Sequence, residues 1–451
     1  MTPGRNDALP MPVVGIDPRP APGDLDGTHP ERLPSSNAAT AASAASVRAL
    51  SAQVVAFYFR APAKAFFRTR VDYLAYARTV HQAHIRMLLK TVTEDTTSSR
   101  MSVFLRQTWL LLRSTTPGVL TSAIRQQGWS VIPQQILPPL IANVGVGAVL
   151  YTSYLQILGQ LHEESAQARK RVYPPPSPVH TFTAGFLAGS LQSVVAAPLD
   201  ALQARFDHRD LMPSDGTGKP RSMWSFGWQK LREIGLRGIF AGWGLSFAKD
   251  SLGSAVFFST FEYVKAQGYY RFVTWYYGGL ADDIVYLLAM KRPTHKEKQE
   301  GENTVIRPHY ALEPMFLLLA GTSASFTQQL LLHPLTHFQV KHWDHLEELD
   351  AKAARLRASR QANPDKPHRR WRMMRAYYHA YQESLAVCAA EAKSEGMGLA
   401  RWLYRGFWWN AIRQVPSTSA GLIIFELIRR KYGFGTEEVR ITKDGYDILL
   451  S

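Results

Sequence analysis

TFTAGFLAGSLQSVVAAPLDALQARF, residues 181–206, is the stretch on which the reading of this chain turns. Its first 19 residues, Thr181–Leu199, carry no charge, close to the roughly 20 residues a helix needs to cross a hydrocarbon core. The run is not uniformly greasy. Gly185 and Gly189 stand four apart, the small-xxx-small spacing that lets one helix approach another closely in lipid. Pro198, a helix-kinking residue, follows, and then an acid, Asp200, and a base, Arg205.

The pattern returns downstream. Residues 314–341 read PMFLLLAGTSASFTQQLLLHPLTHFQVK; when Pro334 is laid on Pro198, Gly321 falls on Gly185 and Ser325 on Gly189. A third, weaker copy, VVAFYFRAPAKAFFRTR (54–70), puts Pro62 in register. The segments that follow also repeat. Gly128–Tyr154 aligns without gaps on Gly235–Phe261, and Gly242–Lys265 on Gly406–Arg429, the last two closing as FEYVK (261–265) and FELIR (425–429). Gln126–Leu161 is a further charge-free run. A unit of two helices, the first kinked at Pro62, Pro198 or Pro334, therefore occurs three times.

Composition agrees. The chain has 451 residues, 46% hydrophobic and 20% charged, enough apolar material for a core and too much for a wholly disordered chain. A mean hydropathy of −0.17 argues against a mostly transmembrane chain, yet allows short spans separated by polar loops. Cys388 is the one cysteine, which excludes an intramolecular disulfide framework and any multi-cysteine metal site. Residues 1–46 hold eight prolines and end in an Ala/Ser run, the composition of a tether. Their acids outnumber their arginines, unlike an import presequence.

The net charge of +16 has a specific location. Arg68–Arg125, Arg205–Arg237 and Lys341–Arg405, the segments joining the two helices of each unit, hold 29 Lys/Arg against 15 Asp/Glu. Basic loops stay on one side of a membrane, so the three share a side. This accounts for the charge without nucleic acid, for which no motif is present.

A threefold repeat with P-x-D-x-x-(base) after a glycine-rich helix, and aromatic-acid-x-x-base after the second helix, resembles the mitochondrial carrier family over residues 48–432. The middle copy, from Thr181 through PLDALQAR to GIFAGWGLSFAKDSLGSAVFFSTFEYVK, carries it best. The resemblance implies an all-α membrane protein with six transmembrane helices, as three pseudo-symmetric two-helix repeats around a central cavity that opens alternately to each side. The expected division is an N-terminal tail (1–46), a degenerate first repeat (47–162), a second repeat (178–268), an insertion (269–312), a third repeat with a long basic loop (313–432) and a C-terminal tail (433–451).

Carried over position by position, the match is uneven. At the end bearing the basic loops, Asp200 takes the acidic place but Gln203 stands where a base belongs, with Arg205 beyond it. Thr336 and Gln339 replace the pair after Pro334, with Lys341 beyond, and Lys64 and Phe67 replace it after Pro62. Asp200, Arg205 and Lys341 are therefore what remains of a matrix-side gate. On the outer side, Glu262/Lys265 and Glu426/Arg429 match the family's network, whereas the first unit offers Tyr154, Leu155 and Leu158. Those two pairs read equally as ordinary i,i+3 helix pairs. Where carriers contact substrate, the second helices read Ala142-Asn143, Lys249-Asp250 and Arg413-Gln414. Asn143, Lys249, Asp250, Arg413 and Gln414 form the candidate substrate site. Two cations and one acid suit an anionic or zwitterionic solute. Arg413 is the leading residue, its alternative being a structural arginine paired within the bundle.

Other signals are weaker. His333 and His337 are four apart, with His342 and His345 following and His81/His84 elsewhere, but no third ligand has clear spacing, so neither metal nor cofactor is expected. SDGTGKP (214–220) lacks the Walker spacing. Cys388, in an Ala-rich run, reads as a small core residue. Tyr269–Met290 has the aromatic, apolar composition of an interfacial helix, and Asp344–Arg375 that of a charged helix followed by a basic loop. Protein docking through Tyr269–Asn303 or Asp344–Arg375 is weighed against solvated decoration. Two functions follow: a solute carrier of the mitochondrial inner membrane, in contact with lipid and its solute, or a carrier-like scaffold that has lost transport, as in the outer membrane. No nucleophile–base constellation suggests an enzyme.

Overall fold

The computed structural model describes residues 124–125, 128–130, 132–166, 172–204, 222–240, 242–291, 304–362, 370–412, 439–443 and 446–450. Among the described residues, five helices of 20 residues or more dominate. Helix α1 (Leu137–Leu161) is preceded by a π-helical turn, Ile132–Ile136, and starts in a proline-rich stretch, since a proline in the first turn loses no helical hydrogen bond. Helix α2 (Pro178–Ala204) contains Pro198. Helix α3 (Met223–Ile239) is interrupted at Gly235, whose φ of 68° suits glycine, and leads into α4 (Trp243–Glu262). After a π-helical turn, Tyr263–Gly268, come the short helices α5 (Tyr269–Tyr277) and α6 (Asp282–Lys291) and a strand β1 (Thr304–Ile306). Helix α7 (Leu312–Ala362) contains Pro334 and is followed by α8 (Arg370–Ser394), the short α9 (Leu399–Leu403) and the strands β2 (Val439–Lys443) and β3 (Tyr446–Leu450).

Leu140–Leu161, Pro178–Leu202 and Leu312–Trp343 are long and apolar enough to cross a membrane. Val179, Leu191, Val194 and Val195 on α2, and Met315, Leu318 and Leu319 on α7, are exposed. Such apolar stripes are a liability in water and the expected lipid-facing surface in a bilayer. The long helices pack in the order α1–α2–α4–α7. Helix α7 continues past its 32-residue membrane candidate to a total of 51 residues, so the charged stretch after Asp344 prolongs the spanning helix instead of forming one of its own. At 1.5 Å per residue its last 19 residues reach roughly 28 Å beyond the span, and α8 returns alongside.

Glycines set the α2–α4 crossing. A Cβ on Gly189 would lie 2.5 Å from the Asp250 carbonyl oxygen, and one on Gly185 2.8 Å from that of Ser254. The Ser190 and Ser251 hydroxyls are 2.9 Å apart, and the Trp243 indole donates to the Ser193 carbonyl at 3.1 Å. The opposite face of α4 meets α7, where the Gln328 amide donates to the Gly253 carbonyl at 3.0 Å. One core joins Leu150, Tyr151, Tyr154, Leu155 and Leu158 of α1 to Ala184 and Ala188, to Phe257, Phe258 and Phe261, and to Leu317, Ala320 and Ala324.

A second core lies beyond the end of α4, and its sheet goes beyond the all-helical expectation. β3 is central, parallel to β1 (Thr304 opposite Tyr446) and antiparallel to β2 (Ile441 opposite Ile448). Ile306, Ile441, Tyr446, Ile448 and Leu450 pack with Tyr269, Val273, Tyr277 and Val285 of α5 and α6. The insertion and the C-terminal tail, separate in the sequence, are thus one cap over the start of α7, which enters through Leu312 and Phe316.

Candidate solute path

The candidate site is built where α4 and α7 face each other. The Lys249 ammonium on α4 donates to Oε1 of Gln339 on α7, and the Gln339 amide donates on to the Ser246 hydroxyl at 2.7 Å. Gln339 and Ser246 are buried, whereas Lys249 and its neighbour Asp250 are half-buried. Lys249, six residues into α4, is therefore hydrogen-bonded to a neutral side chain of the next unit. Asn143 is buried on α1. Arg413 and Gln414, the third unit's contribution, lie outside the described residues, so the five candidates are not seen as one constellation. Gln339 and Ser246 escaped the sequence reading, in which Gln339 figured as an absent base. Their signal was a run of glutamines and serines on faces that lipid would not tolerate.

At the C-terminal end of α4, Lys265 donates to both carboxylate oxygens of Glu262, at 3.2 and 3.3 Å, and lies 5.4 Å from the centroid of the Phe261 ring. Both partners belong to the same helical stretch, in i,i+3 spacing, and both are largely buried. Glu426 and Arg429 lie outside the described residues. At the aligned positions of the first unit the residues are uncharged. Tyr154, Leu155 and Leu158 enter the apolar core, and the Tyr154 ring stacks on Phe258 at 3.7 Å with 7° between planes. Apolar side chains and rings thus occupy these positions of the first unit.

At the opposite end, Asp200 lies half-buried near the end of α2, while Arg205 falls outside the described residues. Lys341 forms an ion pair with Glu391 of α8 at 2.6 Å, docking the inserted helix on α7. Pro198 and Pro334 sit within continuous helices; Pro62 is outside the described residues. His333 meets the Arg405 carbonyl at 3.1 Å and the Asn410 amide at 3.3 Å, and His342 stacks on Tyr381 at 4.0 Å. Burial pushes the Tyr381 phenol up, and backbone hydrogen bonding from Leu245 and Gly244 at the start of α4 opposes the shift. These histidines thus pack at an aromatic helix junction. Among the described residues no group of three or more His, Cys, Asp or Glu side chains could hold a metal ion. Cys388 is fully buried between α7 and α9, with Ala392 and Trp402. His81/His84 and the 214–220 loop lie outside the described residues.

Residues 174–270 match the family model for mitochondrial carrier proteins. Over that segment the chain is similar to the mitochondrial carriers. It is 25% identical over 150 residues to the mitochondrial glutathione transporter SLC25A39 of Danio rerio, covering 32% of this chain and 40% of that one. It is 31% identical over 128 residues to solute carrier family 25 member 45 of Homo sapiens, covering 28% and 43%. Against mitochondrial substrate carrier family protein S of Dictyostelium discoideum it is 27% identical over 144 residues, covering 32% and 47%. The chain thus spans less than half the length of these relatives. By their names these relatives are carriers and transporters, two of them mitochondrial. The segment matched by the family model contains α2, α3 and α4, with the Gly185/Gly189 crossing, Asp200, Lys249 and the Glu262–Lys265 pair.

Proposed function

We propose that this chain moves a small anionic or zwitterionic metabolite across the inner membrane by alternating access, through a cavity framed by three two-helix repeats. The observation that carries the reading is Lys249 held by Gln339 across the α4–α7 interface. A cation that reaches a neutral side chain of the next unit can exchange that glutamine for an anionic solute. Asp250 beside it suits an amine. Arg413, Gln414 and Asn143 complete the site in this reading, with Asp200, Arg205 and Lys341 on the matrix side and Glu262, Lys265, Glu426 and Arg429 on the outer side. One relative carries glutathione in its name, a peptide bearing carboxylates and an amine, which falls within the class.

A second reading has one observation in its favour. The apolar packing of Tyr154, Leu155 and Leu158 at the outer end favours a body that no longer opens there, and so a scaffold, in either mitochondrial membrane.

Purified chain in liposomes tests both. Saturable exchange of a dicarboxylate, an amino acid or glutathione, lost in Lys249→Ala and in Arg413→Ala, supports transport through this site. Exchange untouched by either substitution removes the site, and no exchange with any of the three solute classes favours the scaffold.

A further inference from the structure

The cap presents an apolar, aromatic surface that its own core does not use. On α5, Tyr269, Val273 and Tyr277 point into the cap core, while Trp275 and Tyr276 are 77% and 54% exposed. On α6, Val285 is buried, while Ile284, Tyr286 and Leu287 are exposed, Leu287 at 68%. The surface is continuous with the lipid-facing stripe of α7. Phe316 lies 5.3 Å from Phe272, which stacks on Tyr276 at 5.7 Å and lies 6.2 Å from Trp275. Met315, Leu318 and Leu319, flanking Phe316 on the same helix, are themselves exposed. A row of rings thus leads from the membrane-spanning stripe out to Trp275.

Charge narrows the occupant. Between Tyr269 and Lys291 stand two bases, Arg271 and Lys291, and two acids, Asp282 and Asp283. A balanced segment has no electrostatic preference for anionic headgroups or for a strongly charged protein. Tryptophan and tyrosine beside aliphatic side chains suit the boundary between headgroups and acyl chains, where an amphipathic ring satisfies both phases.

We propose that the α5–α6 face of the cap is seated in the headgroup–acyl boundary of the outer leaflet, anchoring the end of the second unit and the start of the third to neutral phospholipid. The anchor requires the chain to span the bilayer and is independent of whether a solute is carried. The sequence pointed to a lone interfacial helix here; the folded cap makes it a rigid body, since α5 and α6 are fixed to the sheet through Val273, Tyr277 and Val285.

The test uses the full chain in phosphatidylcholine vesicles, on a Cys388→Ser background, with Tyr276→Cys and Leu287→Cys labelled separately with an environment-sensitive fluorophore. Both positions are exposed, so neither label displaces core packing. Lipids bearing a nitroxide near the glycerol are expected to quench both labels roughly twofold more than lipids with a deep nitroxide, with iodide quenching weak. Full quenching by iodide would place the face in water and overturn the proposal. Protection from iodide and from both nitroxides would mean a protein, a second copy or a partner, covers it, and stronger quenching by the deep nitroxide would mean insertion into hydrocarbon; each overturns it. Transport failure with the expected quenching leaves the anchor standing.

Discussion

Lys249 of α4 and Gln339 of α7 are hydrogen-bonded to each other across two different repeat units, and Gln339 relays the contact to Ser246. Together with the Gln328–Gly253 hydrogen bond and the Thr327–Thr260 contact, this relay helps to fix the register of the two helices.

Gln339→Leu is expected to lower stability in detergent by about 1–3 kcal/mol, because it strips a buried partner from Lys249 and Ser246 together. Gln339→Glu should retain most of it, since a carboxylate still accepts from the ammonium. Thermal unfolding of the three proteins side by side measures this. Equal melting of Gln339→Leu and the unsubstituted chain would remove the relay from the account.

The glycine crossing predicts a contrast between two substitutions to the same residue. Gly189→Ala puts a methyl 2.5 Å from the Asp250 carbonyl and must push α2 and α4 apart; a loss of about 1–3 kcal/mol is expected. Gly145→Ala on α1 has nothing within 4 Å, and helix propensity alone predicts a gain of up to about 1 kcal/mol. Unfolding in detergent orders the variants as Gly145→Ala, unsubstituted, Gly189→Ala.

Tyr154→Ala removes a ring that is 2% exposed and stacked on Phe258. The expected destabilisation is about 3–5 kcal/mol, the range for deleting a buried aromatic, whereas Tyr154→Phe keeps the stacking and should cost much less. If the outer end must part for transport, Tyr154→Ala will also raise alkylation of a cysteine placed at Leu158 from the outer side. Unchanged alkylation would show that this packing does not close the path.

Cys388 supplies a pH dependence. Burial, reinforced by Glu391, pushes its thiol up, and Lys341 opposes the shift. With the folded pKa raised above the unfolded one, the protonated form is favoured by folding. The stabilisation is complete below the ordinary thiol pKa of about 8.5 and is lost as pH climbs through the folded value. Maleimide labelling of the native chain should stay far below that of the unfolded chain at neutral pH and increase above the ordinary thiol range as α8 undocks. Cys388→Ser should flatten the alkaline limb of the stability profile, and an unchanged limb would assign it to another group.

What the sequence made legible follows the physics of each signal. Charge-free runs marked α1, α2 and α7 because charge is what lipid excludes, and Gly185 and Gly189 announced a close crossing because only the absence of a Cβ permits one. The continuation of α7 past Pro334 was hidden, since a proline alone does not say whether packing carries the helix onward. The sheet was hidden for a different reason. Thr304–Ile306 is too short to declare itself and pairs with a strand about 140 residues away, although Asp444-Gly445 between VRITK and YDILL is a hairpin signal. Gln339 was hidden because a neutral residue at a position expected to be charged reads as a loss until its partners are seen.

The central place of β3 has a bearing on how this chain is made. Neither β1 nor β2 has its neighbour until residues 446–450 have left the ribosome, so Ile306 and the inner faces of α5 and α6 wait unshielded while the whole third unit is synthesised and delivered to its bilayer.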